Sequence, residues 1–250
     1  MIVLNRKNFR EYDQMISFYT KEFGKLEALA KGIKKITSKQ SGYLEPFSLV
    51  EAEMIYGKEI NRLIKVQPIE IFKNIRQNLQ KSLTVGSIVG LVDKMLRTGE
   101  EDERIFYLLK TWLEHVEKID VVNKGLLYGF VVSLFRCLGF APELDKCIGC
   151  GKVKKENISF DIKNGGLVCG VCGKYNPNTR MLSEPANIRI KEIYPIDLEQ
   201  IKYFKILLSG DWQEISKLDD EKKVFNLIYK FCQFHSESKI VIFFNFIKYL

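Results

Sequence analysis

Hydrophobic and polar positions follow one rhythm up to about residue 67 and another beyond it. Ile2 to Phe9 and Tyr12 to Thr20 are β-prone runs, the second carrying the bulk of Met15, Ile16, Phe18 and Tyr19. Lys21-Glu22-Phe23-Gly24-Lys25 reads as a tight turn, and Lys25 to Ala30 alternates polar and apolar, so the turn closes a hairpin. A polar connection, Lys31 to Glu45, carries Gly32, Ser38, Ser41 and Gly42. Phe47 to Tyr56 and Arg62 to Gln67 flank the turn Gly57-Lys58-Glu59, and Pro68 is expected to end the fifth strand. Five short strands with no long helical pattern between them predict a small closed barrel. An OB-fold is a barrel of this size, and an SH3-like barrel also fits the pattern.

Beyond Pro68 the apolar spacing becomes helical. Pro68 can open a helix through Asn78. Thr84 to Leu96 places Val85, Ile88, Val89, Leu91, Val92, Met95 and Leu96 at helical spacing, and Thr98-Gly99-Glu100 breaks it. Glu103 to Val116 carries one apolar face with Ile105, Leu108, Leu109, Trp112, Leu113 and Val116. Val121 to Phe140 is the most apolar helix and ends at Gly139-Phe140-Ala141-Pro142. Asp197 to Leu208, Gln213 to Leu218 and Glu221 to Phe234 complete the helical segments.

Between the last two groups the phrase CxxCGK occurs twice, as Cys147-Ile148-Gly149-Cys150-Gly151-Lys152 and as Cys169-Gly170-Val171-Cys172-Gly173-Lys174. Two cysteines on a tight turn aim both sulfurs at one point, and two such turns make a tetrahedral four-sulfur site of the kind zinc accepts. Disulfides or redox CxxC pairs would need an oxidising compartment or a thioredoxin-like βαβ context, and neither is suggested. The expected zinc is structural, one per chain. Four cysteines close the coordination shell, no HExxH occurs, and His115 and His235 lie far off in sequence. Residues 145–150 also lack the Pro-Cys-x-x-Cys of zinc deaminases. Ile158 to Ile162 alternates like a strand, Lys163 to Gly166 turns, and Gly166-Leu167-Val168 returns, which makes a zinc ribbon. The expected class is therefore α+β. A five-stranded OB-fold barrel covers 1–79, a helical bundle covers 80–146 and 179–250, and a four-cysteine zinc ribbon covers 147–178.

The chain of 250 residues has a formal net charge of +8, which favours anionic partners such as nucleic acid or an acidic protein tail. The basic residues concentrate on the barrel. Arg6, Lys7 and Arg10 lie at the end of the first strand, and Lys31, Lys34, Lys35 and Lys39 lie in the connection after the third. Lysines release counterions from phosphates and give salt-sensitive binding without sequence preference. Tyr12, Phe18, Tyr19 and Tyr43 are the aromatics nearby, with barrel core the commoner fate for such rings. A lysine cluster is also often no more than a solvated face. Cys137 and Cys232 sit in apolar helices as core residues. P-loop, GxGxxG and GxSxG motifs are absent, which disfavours ATPase, dehydrogenase and α/β-hydrolase chemistry. The N-terminus turns polar too early for a signal peptide, and the apolar run Ile240 to Ile247 is too short to span a bilayer, so a cytoplasmic protein is expected.

Five stretches together resemble the bacterial recombination mediator family RecO. They are Ile2 to Arg6, Tyr19 to Leu26, the basic Ala30-Lys31-Gly32-Ile33-Lys34-Lys35, Leu44-Glu45-Pro46-Phe47-Ser48, and Leu138-Gly139-Phe140-Ala141-Pro142 leading into Cys147 and Cys150. Lys239 to Leu250 is richer in phenylalanine and isoleucine than the family pattern. The resemblance implies an N-terminal OB-fold, a helical domain and a zinc ribbon. It implies binding to single- and double-stranded DNA, annealing of complementary strands, and contact with the acidic C-terminal tail of the single-strand-binding protein. With the partner RecR, such proteins help load RecA; no covalent chemistry or small-molecule substrate is involved. Arg6, Arg10, Lys31, Lys34, Lys35 and Lys39 are the expected DNA contacts. Lys124 and Arg136, on the apolar helix, are the expected contacts for the acidic tail. Two rivals are a zinc-ribbon transcription or translation factor without annealing activity, and a zinc enzyme.

Overall fold

The structure, a computed structural model, describes residues 1–36, 38, 40–153, 156–174, 193–219, 222–236 and 243. It falls into two compact units, residues 1–122 with 241–250, and residues 123–240. The helices are divided between them.

In the first unit, β1 (Ile2–Asn8), β2 (Gln14–Thr20), β3 (Gly24–Ala30), β4 (Leu49–Ile55) and β5 (Asn61–Glu70) close a barrel in the order β1-β2-β3-β5-β4. β3 and β5 run parallel and the other pairs antiparallel, which is the OB-fold arrangement. Alternation decides which side chains go inside. Val3, Ile16, Phe18, Leu26, Ala28, Ala30, Val50 and Val66 fill the barrel, joined by Ile33 and Leu44 from the connection after β3.

Pro68 does not end the fifth strand. It pairs with Val50 inside β5, at a shift in the strand register. Val50 donates its amide to the Met1 carbonyl at 2.8 Å, and its own carbonyl accepts from the Met1 ammonium at 2.8 Å. Neither backbone group of Val50 asks for the amide that proline lacks. Nor does Pro68 open a helix: the first helical segment is the short α1 (Lys73–Gln77).

α2 (Leu79–Met95) starts earlier than the apolar spacing indicates, because Asn78 caps it by accepting the Lys81 amide. α3 (Glu103–Lys118) buries Ile105, Phe106, Leu109, Trp112, Leu113 and Val116, the face its periodicity predicts with Phe106 added and Leu108 left half-buried. A buried polar cluster ties α2 to the barrel. Asp93 accepts from Asn5 at 3.0 Å and Ser17 at 2.7 Å, and pairs with the Lys25 ammonium at 2.9 Å. Lys25 also donates to the carbonyls of Asp93 and Leu96. Burial pushes the Asp93 carboxyl up, but the bonds from Ser17, Lys25 and Asn5, with the Lys25 charge, hold it below its ordinary value.

In the second unit, α4 (Lys124–Cys137) is shorter than expected at both ends. Asn123 caps its start, and Gly139, at φ +93°, follows its end. β6 (Ile158–Asp161) and β7 (Gly166–Cys169) form the expected hairpin, and the one-turn α5 (Gly170–Lys174) carries Cys172. A third strand, β8 (Ile193–Pro195), joins on the far side of β6. Its three residues are too few for periodicity to reveal. α6 (Leu198–Ser209), which begins with an Asp197–Gln200 capping box, α7 (Trp212–Ile215) and α8 (Lys222–His235) surround α4. Of the apolar run Ile240 to Ile247, only Phe243 lies within the described residues; it is helical and buried.

Candidate nucleic-acid interface and metal centre

The basic segment after β3 is anchored by its one apolar member. Ile33 enters the barrel core at 5% exposure, while Lys31, Lys34 and Lys35 around it stay exposed. The segment lies against the loop joining β1 and β2. The Gly32 amide donates to Asp13 Oδ1 at 2.7 Å, and the Lys34 amide donates to the Tyr12 carbonyl at 3.1 Å. Gly32 holds φ +64°, where a side chain would strain the turn. Lys35 Nζ sits 5.9 Å from the centre of the Tyr12 ring, and the Arg10 guanidinium 5.3 Å from that of Phe9. These rings are 47% and 43% exposed. The structure thus brings Arg10, Lys31, Lys34 and Lys35 to two adjoining loops beside two accessible aromatic faces, the combination that tracks a nucleic-acid backbone and stacks on bases. Phe18 and Tyr19, by contrast, are core. Lys39 lies outside the described residues.

Arg6 is placed differently. It lies opposite Ile16 on the core side of the sheet, at the barrel mouth. Its Nε and Nη2 donate to Gln14 Oε1 at 3.0 and 2.9 Å, and Nη1 pairs with Glu45 at the end of the connection. Its side chain is 16% exposed. Arg6 therefore fastens the far end of the lysine-bearing connection to β1 and β2.

Lys124 and Arg136 occupy the first and last turns of α4, roughly 18 Å apart at about 1.5 Å per residue. The helix between them is buried almost continuously from Gly125 to Phe135. Arg136 Nη1 donates to the Leu208 carbonyl at 2.7 Å, at the C-terminal turn of α6. The apolar excess of α4 is core packing, and its two cations are not brought together.

The four motif cysteines do converge. Their sulfurs all lie within 4.8 Å of one another, Cys150 and Cys169 at 4.0 Å. Sulfurs around a zinc at about 2.3 Å form a tetrahedron with edges of about 3.8 Å, so the set could hold a metal ion and suits zinc. The first knuckle is closed by Gly151 N donating to the Cys147 carbonyl at 2.8 Å and Cys147 N to that of Lys152 at 3.0 Å. Gly149 is obligatory: a Cβ there would come within 2.9 Å of Cys172 Cβ and 3.1 Å of its sulfur. Cys169 N donates to Cys147 Sγ at 3.4 Å. Burial pushes the Cys147 thiol up, but the amides of Cys169, Cys150 and Gly149 and the Cys150 side chain outweigh it and lower it to about 6. The neighbouring sulfurs of Cys169 and Cys150 push Cys172 up to about 12. Four thiols this close cannot all ionise alone, and a divalent cation removes that conflict. His235 is not near the sulfurs' chemistry: its Nε2 lies 3.0 Å from the Ile162 carbonyl, among Phe140, Phe231 and Phe234. Cys232 is fully buried, as expected, whereas Cys137 is only half-buried.

Sequence reasoning missed Phe9 as an accessible ring and Asp13, Gln14 and Glu45 as the residues holding the basic loop. An aromatic beside Arg10 was the available signal for Phe9. The other three depend on contacts distant in sequence.

Comparison with known proteins agrees with this architecture. The family model described as "Recombination protein O N terminal" matches residues 1–72, and "Recombination protein O C terminal" matches residues 76–241. A protein of Alkaliphilus metalliredigens called "DNA repair protein RecO" is 28% identical over 86% of this chain and 82% of its own length. A protein of the same name from Caldicellulosiruptor saccharolyticus is 26% identical over 99% of this chain and 97% of its own length. Another, from Symbiobacterium thermophilum, is 29% identical over 84% and 83%.

Proposed function

The chain belongs to the RecO family, whose role is DNA repair and recombination, and from that premise we propose that it is a mediator that binds single- and double-stranded DNA and anneals complementary strands. The observation that carries this reading is the exposed Lys31–Lys34–Lys35 segment held on the barrel against the Arg10 loop and its two open rings. Lys31, Lys34, Lys35 and Arg10 neutralise phosphates, Lys39 adds to them, and Arg6 supports them by fastening the connection. The rings of Tyr12 and Phe9 stack on unpaired bases. Together with RecR, the protein loads RecA onto DNA coated by single-strand-binding protein, whose acidic tail meets Lys124 and Arg136 at the ends of α4. Cys147, Cys150, Cys169 and Cys172 hold one structural zinc, which ties the ribbon together and leaves no open position for chemistry.

On this reading the protein performs no covalent step. It works in the bacterial cytoplasm, at the nucleoid during repair. Residues 1–79 act as the nucleic-acid domain, 80–146 with 179–250 as the helical partner domain, and 147–178 as the ribbon. Among the described residues no helix is long and apolar enough to cross a membrane. The test is annealing of complementary oligonucleotides coated by single-strand-binding protein. Acceleration by the wild-type chain is expected; a rate equal to the protein-free control refutes the reading.

A further inference from the structure

The two ends of the barrel differ in charge. β2 runs from Gln14, beside the lysine loop, to Thr20, beside the turn Lys21-Glu22-Phe23, a span of roughly 20 Å at about 3.3 Å per residue. At the first end Arg10, Lys31, Lys34 and Lys35 outnumber Glu11 and Asp13, and Asp13 is taken up by the Gly32 amide. The far end is built from the β2–β3 turn, the β4–β5 turn at 56–60, and the α2–α3 loop with the start of α3, 97–104. There Glu22, Glu59 and the run Glu100-Glu101-Asp102-Glu103 stand against Lys21, Lys58, Arg97 and Arg104, six carboxylates to four cations on a chain whose formal net charge is +8.

Three rings stand open among these charges. Phe23, Tyr56 and Tyr107 are 52%, 64% and 43% exposed. Phe23 and Tyr56 meet edge to face, their centres 6.1 Å apart, and Lys21 Nζ lies 5.4 Å from the centre of the Tyr107 ring. The backbone that presents them is tied down. The Phe23 amide donates to Thr20 Oγ1 at 2.9 Å, and the Gly99 amide donates to the Lys25 carbonyl at 2.9 Å. A Cβ on Gly24 would lie 1.8 Å from the Glu100 carbonyl oxygen, so a glycine is needed for the α2–α3 loop to close on that turn. Ordered, accessible rings are the anchors protein interfaces use. The acidic setting disfavours nucleic acid and favours a basic protein surface.

The opposite end of this same barrel is such a surface, since Arg10 and Lys35 sit there beside the open rings of Phe9 and Tyr12. We propose that the acidic end docks the lysine-loop end of a second copy of the chain, so that the free protein associates head to tail. Arg10 and the three lysines meet the carboxylates and the faces of Phe23 and Tyr56. The two surfaces of the contact differ, so each docked pair keeps one end of each kind open, and association continues into rows or rings instead of stopping at a symmetric dimer. The contact is exposed and charged, and salt screens it. It takes up the loop assigned above to DNA, so a second chain and DNA compete there, but the contact stands whether or not that loop binds DNA.

Sedimentation velocity on the full-length zinc-loaded protein, without DNA, is the test. At about 50 mM salt the mean sedimentation coefficient of wild type is expected to rise with protein concentration, and at about 500 mM, where the screening length is roughly 4 Å, to stay at the monomer value. Phe23→Ser with Tyr56→Ser removes two rings from the acidic end, and the Lys31/Lys34/Lys35→Ala triple variant removes cations from the other. Each variant by itself is expected to associate about ten-fold or more weakly. Mixed one to one, the two are expected to form a heterodimer and stop there, because each supplies the surface the other lacks. A patch that paired with its own copy would not be rescued by mixing. Should the ring variant not fold, Glu22→Lys with Glu101→Lys, both at exposed positions, reverses charge at the same end and takes its place in the mixture. Failure of the DNA reading leaves this test intact, since it reports on protein alone. Wild type that stays monomeric at low salt, association undiminished in either folded variant, or a mixture that stays monomeric overturns the proposal.

Discussion

Replacing Lys31, Lys34 and Lys35 together by alanine removes three exposed cations while leaving Ile33 in the barrel core. The segment's anchors on Asp13 and Tyr12 are hydrogen bonds donated by the backbone N–H groups of Gly32 and Lys34, and survive the change. Stability should therefore stay within about 0.5 kcal/mol of wild type, as for other surface substitutions. DNA binding should not. For single strands, each phosphate contact contributes about 0.7 to the slope of log K against log salt, so losing three flattens it by about 2. The two proteins should then differ by a factor that shrinks about 16-fold as salt rises from about 50 to about 200 mM. Fluorescence anisotropy with labelled oligo(dT) at four or more salt concentrations measures this directly. The loss should be the same on mixed-sequence strands, because phosphate contacts carry no base information. A folded triple variant with unchanged affinity and slope would show that the cluster is only a solvated face.

Other outcomes follow from single contacts. Arg6→Met should leave the salt slope unchanged, since its guanidinium is held by Gln14 and Glu45 rather than offered to solvent; a flattening of about 0.7, one contact's worth, would make Arg6 a phosphate ligand. Asp93→Ala should cost about 3–5 kcal/mol in urea denaturation by leaving the Lys25 ammonium buried without its partner. The Asp93 carboxyl is held below its unfolded value of about 3.9, so its contribution is complete above that pH and is lost as pH falls through the folded value. The gap between wild type and Asp93→Ala should accordingly narrow in acid, and a gap constant from pH 7 to about pH 3 would contradict the assignment. Metal analysis should find one zinc per chain; Cys147→Ser or chelation should lower the melting temperature, and zinc-free reduced wild type with an unchanged melting temperature would count against a structural metal.

What could be read from the sequence is what neighbouring residues decide. The two CxxC turns announce the sulfur cluster because each turn is local, and the barrel strands show in their alternation. Distant contacts stay hidden. Pro68 looks like a strand end until Met1 is found satisfying Val50 at the β1–β4 seam that closes the barrel. Arg6 looks like a free cation, but Gln14 and Glu45 lie 8 and 39 residues away in sequence. Asp93 is one polar residue in an apolar stripe until Lys25, Ser17 and Asn5 gather round it. The apolar excess of α4 reflects its packing against α6, α7 and α8, which no pattern within the helix itself announces. Asn123 was the signal in the sequence for where that helix starts.

The Lys25–Asp93 pair bears on how the protein can be dissected. A fragment ending at residue 79 keeps all five strands and the whole lysine loop, yet it leaves Asp93 behind. Lys25, Ser17 and Asn5 would then open onto water on a wall of the barrel that normally lies under α2, alongside the apolar surface α2 covers. Such a fragment invites self-association through that bared wall, and weak DNA binding by it would say little about the loop. A piece that extends through α3, to about residue 122, keeps Asp93 with its partners and all of the first compact unit except residues 241–250.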